Sequence, residues 1–340
     1  VRTTLRDRVE RALEALWEGR APLAFALLFL PLGLLALLTR WAGASRRRKP
    51  RRTSPVPVIS VGNLRVGGTG KTQVVLELCR RAEASGLAPA VVLRGYGGKE
   101  RGPLRVLPSS ESTSVGDEAS LLARRRPGTL VIVSRDRWQG VELARSEGRQ
   151  WIVLDDGLQQ RDVEPRRSVV VVPADSPLGN GWLLPLGPLR EPQGTLGPGD
   201  LIWLHGEGEG AGVQPAVRSR SRPVGAVPAG DLAAPLQDLA GQPIAAFSGI
   251  ARAHRFRESL TAAGAEVTLE WLLSDHRVFA AEELQQAARE AQAAGAKALV
   301  CTEKDAVRLP IGLQLPLPLL ALRVELEIFA GEDRLAALLA

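Results

Sequence analysis

The segment from Val56 to Thr72, V-P-V-I-S-V-G-N-L-R-V-G-G-T-G-K-T, constrains the fold more than any other stretch of the chain. Val56, Val58, Ile59 and Val61 form a short β-branched apolar run that reads as a buried strand. It feeds a glycine-rich turn ending in Gly70-Lys71-Thr72 and then a helix-like segment. This is the layout of a phosphate-binding loop. Glycine lets backbone N–H groups approach a polyphosphate, the helix N-terminus favours negative charge, Lys71 reaches the outer phosphates and the Thr72 hydroxyl holds Mg²⁺. Gly67, Gly68, Thr69, Gly70, Lys71 and Thr72 are therefore the expected nucleotide contacts, with ATP and Mg²⁺ as the expected cofactors. The G-x-x-x-x-G-K-[ST] spacing wants glycine where Arg65 stands, and Gly67-Gly68 is available to supply flexible backbone instead. A glycine-rich turn beside an unrelated lysine is the competing reading; the order strand, loop, lysine, threonine, helix favours nucleotide binding.

From this loop onward strands and helices alternate. The pattern predicts strand Val56–Val61, helix Thr72–Ser85, strand Ala90–Leu93, helix Glu118–Arg125, strand Leu130–Val133, helix Trp138–Ser146, strand Trp151–Leu154 and strand Val169–Val172. Such alternation implies an α/β fold with a mostly parallel sheet covered on both faces, ligands binding at the carboxyl ends of its strands. Residues 174–199 are irregular and contain P-L-G-P-L-R-E-P, a candidate lid. Glycine and proline dominate 206–241, apart from a polar alternation near Val217–Arg222, and a second α/β unit comes after them. It has strands at Ile244–Phe247, Glu266–Trp271, Ala298–Cys301 and within Leu317–Ile328, and helices at Phe256–Ala263, Glu282–Ala294 and the end of the chain. The expected division is a membrane-associating segment 1–44, a P-loop domain 45–205, a linker 206–242 and a smaller α/β domain 243–340.

Charge is unevenly spread. Residues 1–52 carry twelve Lys or Arg against four acids, +8, while the whole chain is +7, so the remainder is near neutral at −1. A nucleic-acid partner is not expected, because such proteins carry basic surface on the folded body interleaved with aromatics, and aromatics are only 4% here. The excess sits beside Ala21–Leu38, eighteen residues without a charge. As a helix this run spans about 27 Å, close to the roughly 30 Å hydrocarbon core of a bilayer. Trp17 and Trp41 flank it as interfacial anchors, and the basic cluster Arg46–Arg52 places the rest of the chain in the cytoplasm, next to anionic headgroups. An interfacial hairpin broken at Pro22, Pro31 and Gly33, a buried core helix, and a signal peptide ending at Ala42-Gly43-Ala44 compete with a spanning helix. Membrane attachment is favoured, and spanning and surface-lying forms both stay open. Cys79 and Cys301 lie in apolar segments and read as reduced core residues. With His205, His254 and His276 far apart, no zinc-ligand spacing exists.

The second chemical signal is W-I-V-L-D-D-G, an apolar strand ending in Asp155 and Asp156, the usual place for acids that hold Mg²⁺ opposite the loop threonine. Acids that cap the next turn are the alternative. Asp117, in V-G-D-E before a helix, is either an N-cap or the base that a kinase acting on an alcohol needs. Asp275-His276-Arg277 stands between a strand and a helix in polar surroundings. Arg94-Gly95-Tyr96-Gly97 ends the second strand and suits phosphate and sugar contacts, although a plain turn explains it almost as well. Thr302-Glu303-Lys304-Asp305 resembles guanine-reading motifs without their spacing and reads as a strand-end turn.

Taken in order, V-G-N-L-R-V-G-G-T-G-K-T, R-G-Y-G, V-G-D-E, L-D-D-G-L-Q-Q, L-L-P-L-G-P-L-R-E-P, F-S-G-I-A, S-D-H and T-E-K-D-A-V resemble the tetraacyldisaccharide 4′-kinases of lipid A biosynthesis, over nearly the whole chain. The resemblance implies an ATP- and Mg²⁺-dependent glycolipid kinase. Its acceptor is the 4′-hydroxyl of an acylated glucosamine disaccharide 1-phosphate, its product is lipid IVA, and it works at the cytoplasmic face of the inner membrane with no protein partner. It further implies Asp117 and His276 as a catalytic dyad with Lys71 on the phosphates, and Asp155 and Asp156 as Mg²⁺ acids. Arg190 and Glu191 would belong to the lid motif, and Arg94, Tyr96 and Arg137 would stand near the glycolipid. The chain departs from the family pattern at Leu158, Gln160, Arg277 and Gln73. Two other classes compete. A partitioning-type membrane ATPase would place its signature lysine at Val66, and a nucleotide-sensing scaffold would not need Asp117, Asp155 and Asp156.

Overall fold

The computed structural model describes residues 51–339 except 161, 198, 250–252, 273–279 and 311, together with Ala15, Trp17 and Glu18. The expected apolar segment Ala21–Leu38, the cluster Arg46–Lys49 and the S-D-H motif lie outside the described residues. Among the described residues no helix is long and apolar enough to cross a membrane.

In chain order the strands are β1 (Arg52–Thr53), β2 (Val58–Gly62), β3 (Pro89–Leu93), β4 (Leu104–Val106), β5 (Leu130–Val133), β6 (Trp151–Asp155), β7 (Val163–Glu164), β8 (Arg167–Pro173), β9 (Leu201–His205), β10 (Val217–Pro228), β11 (Pro243–Ser248), β12 (Glu266–Leu272), β13 (Ala298–Thr302) and β14 (Leu319–Ala330). The helices are α1 (Lys71–Ala84), α2 (Ser112–Val115), α3 (Asp117–Arg125), α4 (Arg137–Ser146), α5 (Ala253–Ala262), α6 (Ala281–Ala293), α7 (Glu303–Ala306) and α8 (Glu332–Leu339). The result is the expected mixed α/β fold with a large, mostly parallel sheet. Most expected elements shift by a residue or two at their ends. Strands β1, β4, β7 and β9, the short helix α2, and β10, twelve residues within the stretch read as a linker, were not anticipated.

The described residues form two compact units, each assembled from separated stretches of chain. One comprises residues up to Val75, Trp151–Arg220 and those from Ile328 on; the other comprises Leu76–Gln150 and Ser221–Glu327. In the first unit β6, β2, β8 and β9 lie side by side, all parallel. Every residue of β2 and β6 is buried, as are Val169–Val172 of β8. That is why these strands read as continuous apolar runs without alternation. Each fully buried valine contributes on the order of 1.5–3 kcal/mol of transfer free energy. Leu64, Val170, Val172, Leu189 and Leu204 share one core, so the phosphate loop, the sheet and the 174–199 segment are packed together.

In the second unit β3 and β5 are parallel, with β4 antiparallel on β5. There, too, β12, β11, β13 and β14 run parallel in that order. Leu121 of α3 is buried in the same core as Phe247, Leu299, Cys301, Ala306 and Val307. Cys79 and Cys301 are both buried free thiols. Burial pushes the Cys301 thiol well above its usual value, with Asp305 adding to the rise, so it stays an inert core residue.

Candidate active site

In the first unit β2 delivers the chain into the loop 63–70 and α1 begins at Lys71. Gly70 accepts from the amides of Gln73 and Val74, which closes the first turn of the helix. Asn63, wholly buried, donates through Nδ2 to Arg65 O at 2.6 Å and to Thr69 Oγ1 at 3.2 Å. The D-D-G-L-Q-Q turn leans on the same loop: Gly157 N donates to Val61 O, and Gln159 Nε2 to Asn63 O.

At the mouth of the loop three charged groups converge. Lys71 Nζ is 3.7 Å from Asp156 Oδ1, and Arg190 Nη1 lies 3.0 Å from both oxygens of Asp156. Asp156 has a left-handed backbone, φ 51°. This is uncommon outside glycine, and strain of this kind concentrates at functional sites. Asp155 is only 2% exposed, and its Oδ1 accepts from Asp156 N at 2.9 Å. The structure thus brings together Lys71, Asp156 and Arg190, three residues singled out from distant motifs. Asp155 ends β6, Asp156 follows it and Thr72 is the second residue of α1; oxygen donors of this kind are what a hard cation such as Mg²⁺ takes. Among the described residues no group of three or more His, Cys, Asp and Glu forms a ready-made metal cluster. An ion held through one or two carboxylates and substrate phosphates needs none.

The 174–199 segment is bonded to the loop itself. Val66 N donates to Pro188 O at 2.9 Å, Arg190 N donates to Leu64 O at 2.6 Å, and Arg65 and Leu189 form an antiparallel bridge. Arg65 also donates to Glu18 at 2.7 Å and to Ser176 O, and Ser176 donates to Glu18. Burial alone would raise the Glu18 carboxyl. The hydrogen bonds from Ser176 and Arg65, with the Arg65 charge, outweigh it and hold the group below its usual range. Trp17, anticipated as an interfacial anchor, donates through Nε1 to Pro185 O at 3.0 Å. Glu191 is buried.

In the second unit the loop after β3 and the start of α3 are pressed together. A Cβ on Gly116 would sit 2.6 Å from Tyr96 O; only glycine permits this approach. The backbone of Gly95-Tyr96 therefore lies against the residue that precedes Asp117, and the Tyr96 side chain is 88% exposed. Asp117 is the first residue of α3, and its Oδ2 accepts from Arg308 Nε at 2.8 Å. Arg137 is fully enclosed and donates to Ser134 O at 3.0 Å, so as placed it supports the turn into α4. His276 lies outside the described residues.

Two residues here escaped sequence reasoning. A Cβ on Gly70 would overlap the His205 ring, so His205, at the end of β9, is the floor of the loop. Its Nδ1 lies 3.1 Å from Ser219 Oγ, which also accepts from Trp203 Nε1 at 2.8 Å. Arg308, beside Asp117, comes directly after T-E-K-D-A-V; the run ahead of it was legible as a turn, and its partner was not.

A family model described as tetraacyldisaccharide-1-P 4′-kinase matches residues 25–340. The chain belongs to the tetraacyldisaccharide-1-P 4′-kinase family. Relatives named tetraacyldisaccharide 4′-kinase include one from Anaeromyxobacter sp. (strain Fw109-5), 40% identical over 95% of this chain and 94% of its own length. Another, from Methylobacterium nodulans, is 40% identical over 83% and 84% of the two chains. A crystal structure of "apo" form LpxK from Aquifex aeolicus in complex with ATP superposes with a TM-score of 0.73. It is 26% identical and covers 92% of this chain and 98% of its own. The family assignment and the Lys71–Asp156–Arg190 constellation point in the same direction.

Proposed function

We propose that this chain transfers the γ-phosphoryl group of ATP to the 4′-hydroxyl of a tetraacylated glucosamine disaccharide 1-phosphate, the kinase step of lipid A biosynthesis that gives lipid IVA. The observation that carries this reading is the convergence of Lys71, Asp156 and Arg190 on a phosphate loop in a chain matching the kinase family from residue 25 to its end. Lys71 and the amides of Gly67–Thr72 bind and orient the triphosphate. Asp155, Asp156 and Thr72 would hold Mg²⁺, which when bound neutralises charge on the phosphate oxygens. Arg190, paired with Asp156, exchanges that partner for a phosphate oxygen when nucleotide is present.

Asp117 takes the proton of the 4′-hydroxyl as the new O–P bond forms and the bond to ADP breaks, with His276 as its partner. Arg94 and Tyr96, in the loop whose backbone abuts Gly116, are assigned to the glycolipid headgroup, as are Arg137 and Glu191 by motif. The finer architecture we assign is a P-loop domain of 45–205, a linker, a smaller α/β domain of 243–340, and a membrane-associating segment of 1–44. The working place is the cytoplasmic face of the inner membrane, supported by the uncharged run 21–38 and the basic cluster after it.

Incubation with γ-labelled ATP and an acylated disaccharide 1-phosphate tests the reading directly: label is expected on lipid, and bound ATP with no labelled lipid overturns it. Asp117→Ala is expected to lower turnover by about 10²-fold or more with ATP binding little changed. Wild-type turnover in that variant removes Asp117 from the mechanism.

A further inference from the structure

The geometry points to Arg308 as a positioning residue for phosphoryl transfer: it grips the Asp117 carboxylate in the orientation that meets the acceptor hydroxyl. This inference rests on the assignment of Asp117 as the base.

Arg308 is 8% exposed and lies two residues beyond α7. Its Nε and Nη2 both reach Asp117 Oδ2, at 2.8 and 2.7 Å. Its Nη1 turns the other way, donating to Gly249 O at 3.2 Å and standing 3.7 Å from Asp305 Oδ1. Asp305 is wholly buried and accepts from Thr302 Oγ1 at 2.7 Å and from Gly249 N at 3.2 Å. Burial lifts the Asp305 carboxyl, opposed by hydrogen bonds from Thr302 and Gly249 and by the Arg308 charge. A continuous polar chain therefore runs from the end of β13, through Asp305 and Arg308, to Asp117.

A second tether fixes the helix that carries Asp117. Arg125, in the last turn of α3, pairs with Glu303 at 2.8 Å, and Glu303 pairs with Arg323 at 2.7 Å. The segment Thr302–Arg308 thus holds α3 at both ends, through Glu303 and Arg308.

A helix anchor alone does not require this arrangement. Capping the first turn of α3 would take a short polar side chain, whereas here a buried guanidinium is directed at a carboxylate that is itself 23% exposed. The buried partner fixes and the accessible partner acts. Lysine does not substitute fully, because a single ammonium point charge lacks the planar fork that binds Asp117 on one side and Gly249 O on the other.

The test is steady-state kinetics of the full chain with γ-labelled ATP and acylated disaccharide 1-phosphate, for Arg308→Gln, Arg308→Lys, Asp117→Ala and Asp117→Ala/Arg308→Gln. Misplacement of a reacting group by about 1 Å costs on the order of 10²-fold, so Arg308→Gln is expected to lose about that much kcat with the KM for ATP unchanged. Arg308→Lys is expected to recover part of the loss. The double variant is expected to be no slower than Asp117→Ala, since residues acting as one unit are not additive. Wild-type kcat in folded Arg308→Gln overturns the inference, as does a double variant whose losses multiply. If Arg308→Gln does not fold, Arg308→Lys decides: a wild-type kcat there overturns the inference, and a lowered kcat at unchanged KM for ATP supports it. A slow Asp117→Ala beside a fast Arg308→Gln sinks this inference alone, whereas a fast Asp117→Ala sinks the reading beneath it.

Discussion

Gly70 combines a left-handed backbone, φ 86°, with a ring pressed against the place its Cβ would occupy. Gly70→Ala is expected to fold but to weaken ATP binding about tenfold or more, since strain at such a position costs on the order of 1–3 kcal/mol; titration calorimetry with ATP measures it. The companion His205→Ala opens space under the loop and is expected to relieve part of that loss in the double variant. Lys71, Asp155, Asp156 and Asp117 were legible in the sequence because each ends a short apolar run or a glycine-rich turn, where local pattern implies chemistry. His205 and Arg308 were not. Their partners lie 135 and 191 residues away in the chain, and only the strand order β9–β8–β2 and the packing of α3 on α7 select them.

Among the elements, α3 is tethered through a buried ionic cluster as well as through Leu121 in the core. Arg125 and Glu303 are each about 6% exposed, and burial raises the Glu303 carboxyl even though Arg125 and Arg323 oppose the rise. Glu303→Gln, which takes the nearest counter-charge from buried Arg125 and partly buried Arg323, is expected to destabilise the protein by about 3 kcal/mol, measurable by urea unfolding. The Arg65–Glu18 pair makes a different expectation, because the folded Glu18 carboxyl is lowered. Its stabilisation is complete above the ordinary carboxylate range and is lost as pH falls through the depressed value. The melting-temperature gap between wild type and Glu18→Gln should therefore narrow as pH drops from about 5 to about 3. Strand β4 escaped the sequence because its three residues, two of them exposed, form neither a period nor an apolar run, and β9 because its short run stands between two glycine- and proline-rich stretches of sequence.

For the whole molecule, alternation of apolar runs and amphipathic segments was enough to read a mostly parallel α/β fold. Alternation does not say which strands are neighbours, and the two compact units, each built from separated stretches, have no signature in local pattern. The concentration of +8 on residues 1–52 leads to an expectation for the intact chain. It should co-sediment with vesicles containing anionic lipid in preference to neutral ones, and the preference should shrink as salt shortens the Debye length to about 3 Å at 1 M. Equal binding to both vesicle types would remove electrostatics from membrane attachment.

The antiparallel bridge between Arg65 and Leu189 has a consequence for how such loops are found by pattern searches. In the standard motif the first glycine serves an unusual backbone angle, yet here the positive angles fall at Gly67 and Gly70, and Arg65 is not among the left-handed residues. Pairing with Leu189 gives Arg65 a strand-like role in which any L-residue fits. A search demanding glycine five positions before the second glycine would pass over this chain, whereas one keyed to the spacing of Gly67, Gly70 and Lys71, with a leucine-proline segment downstream to serve as the bridge, would retrieve it.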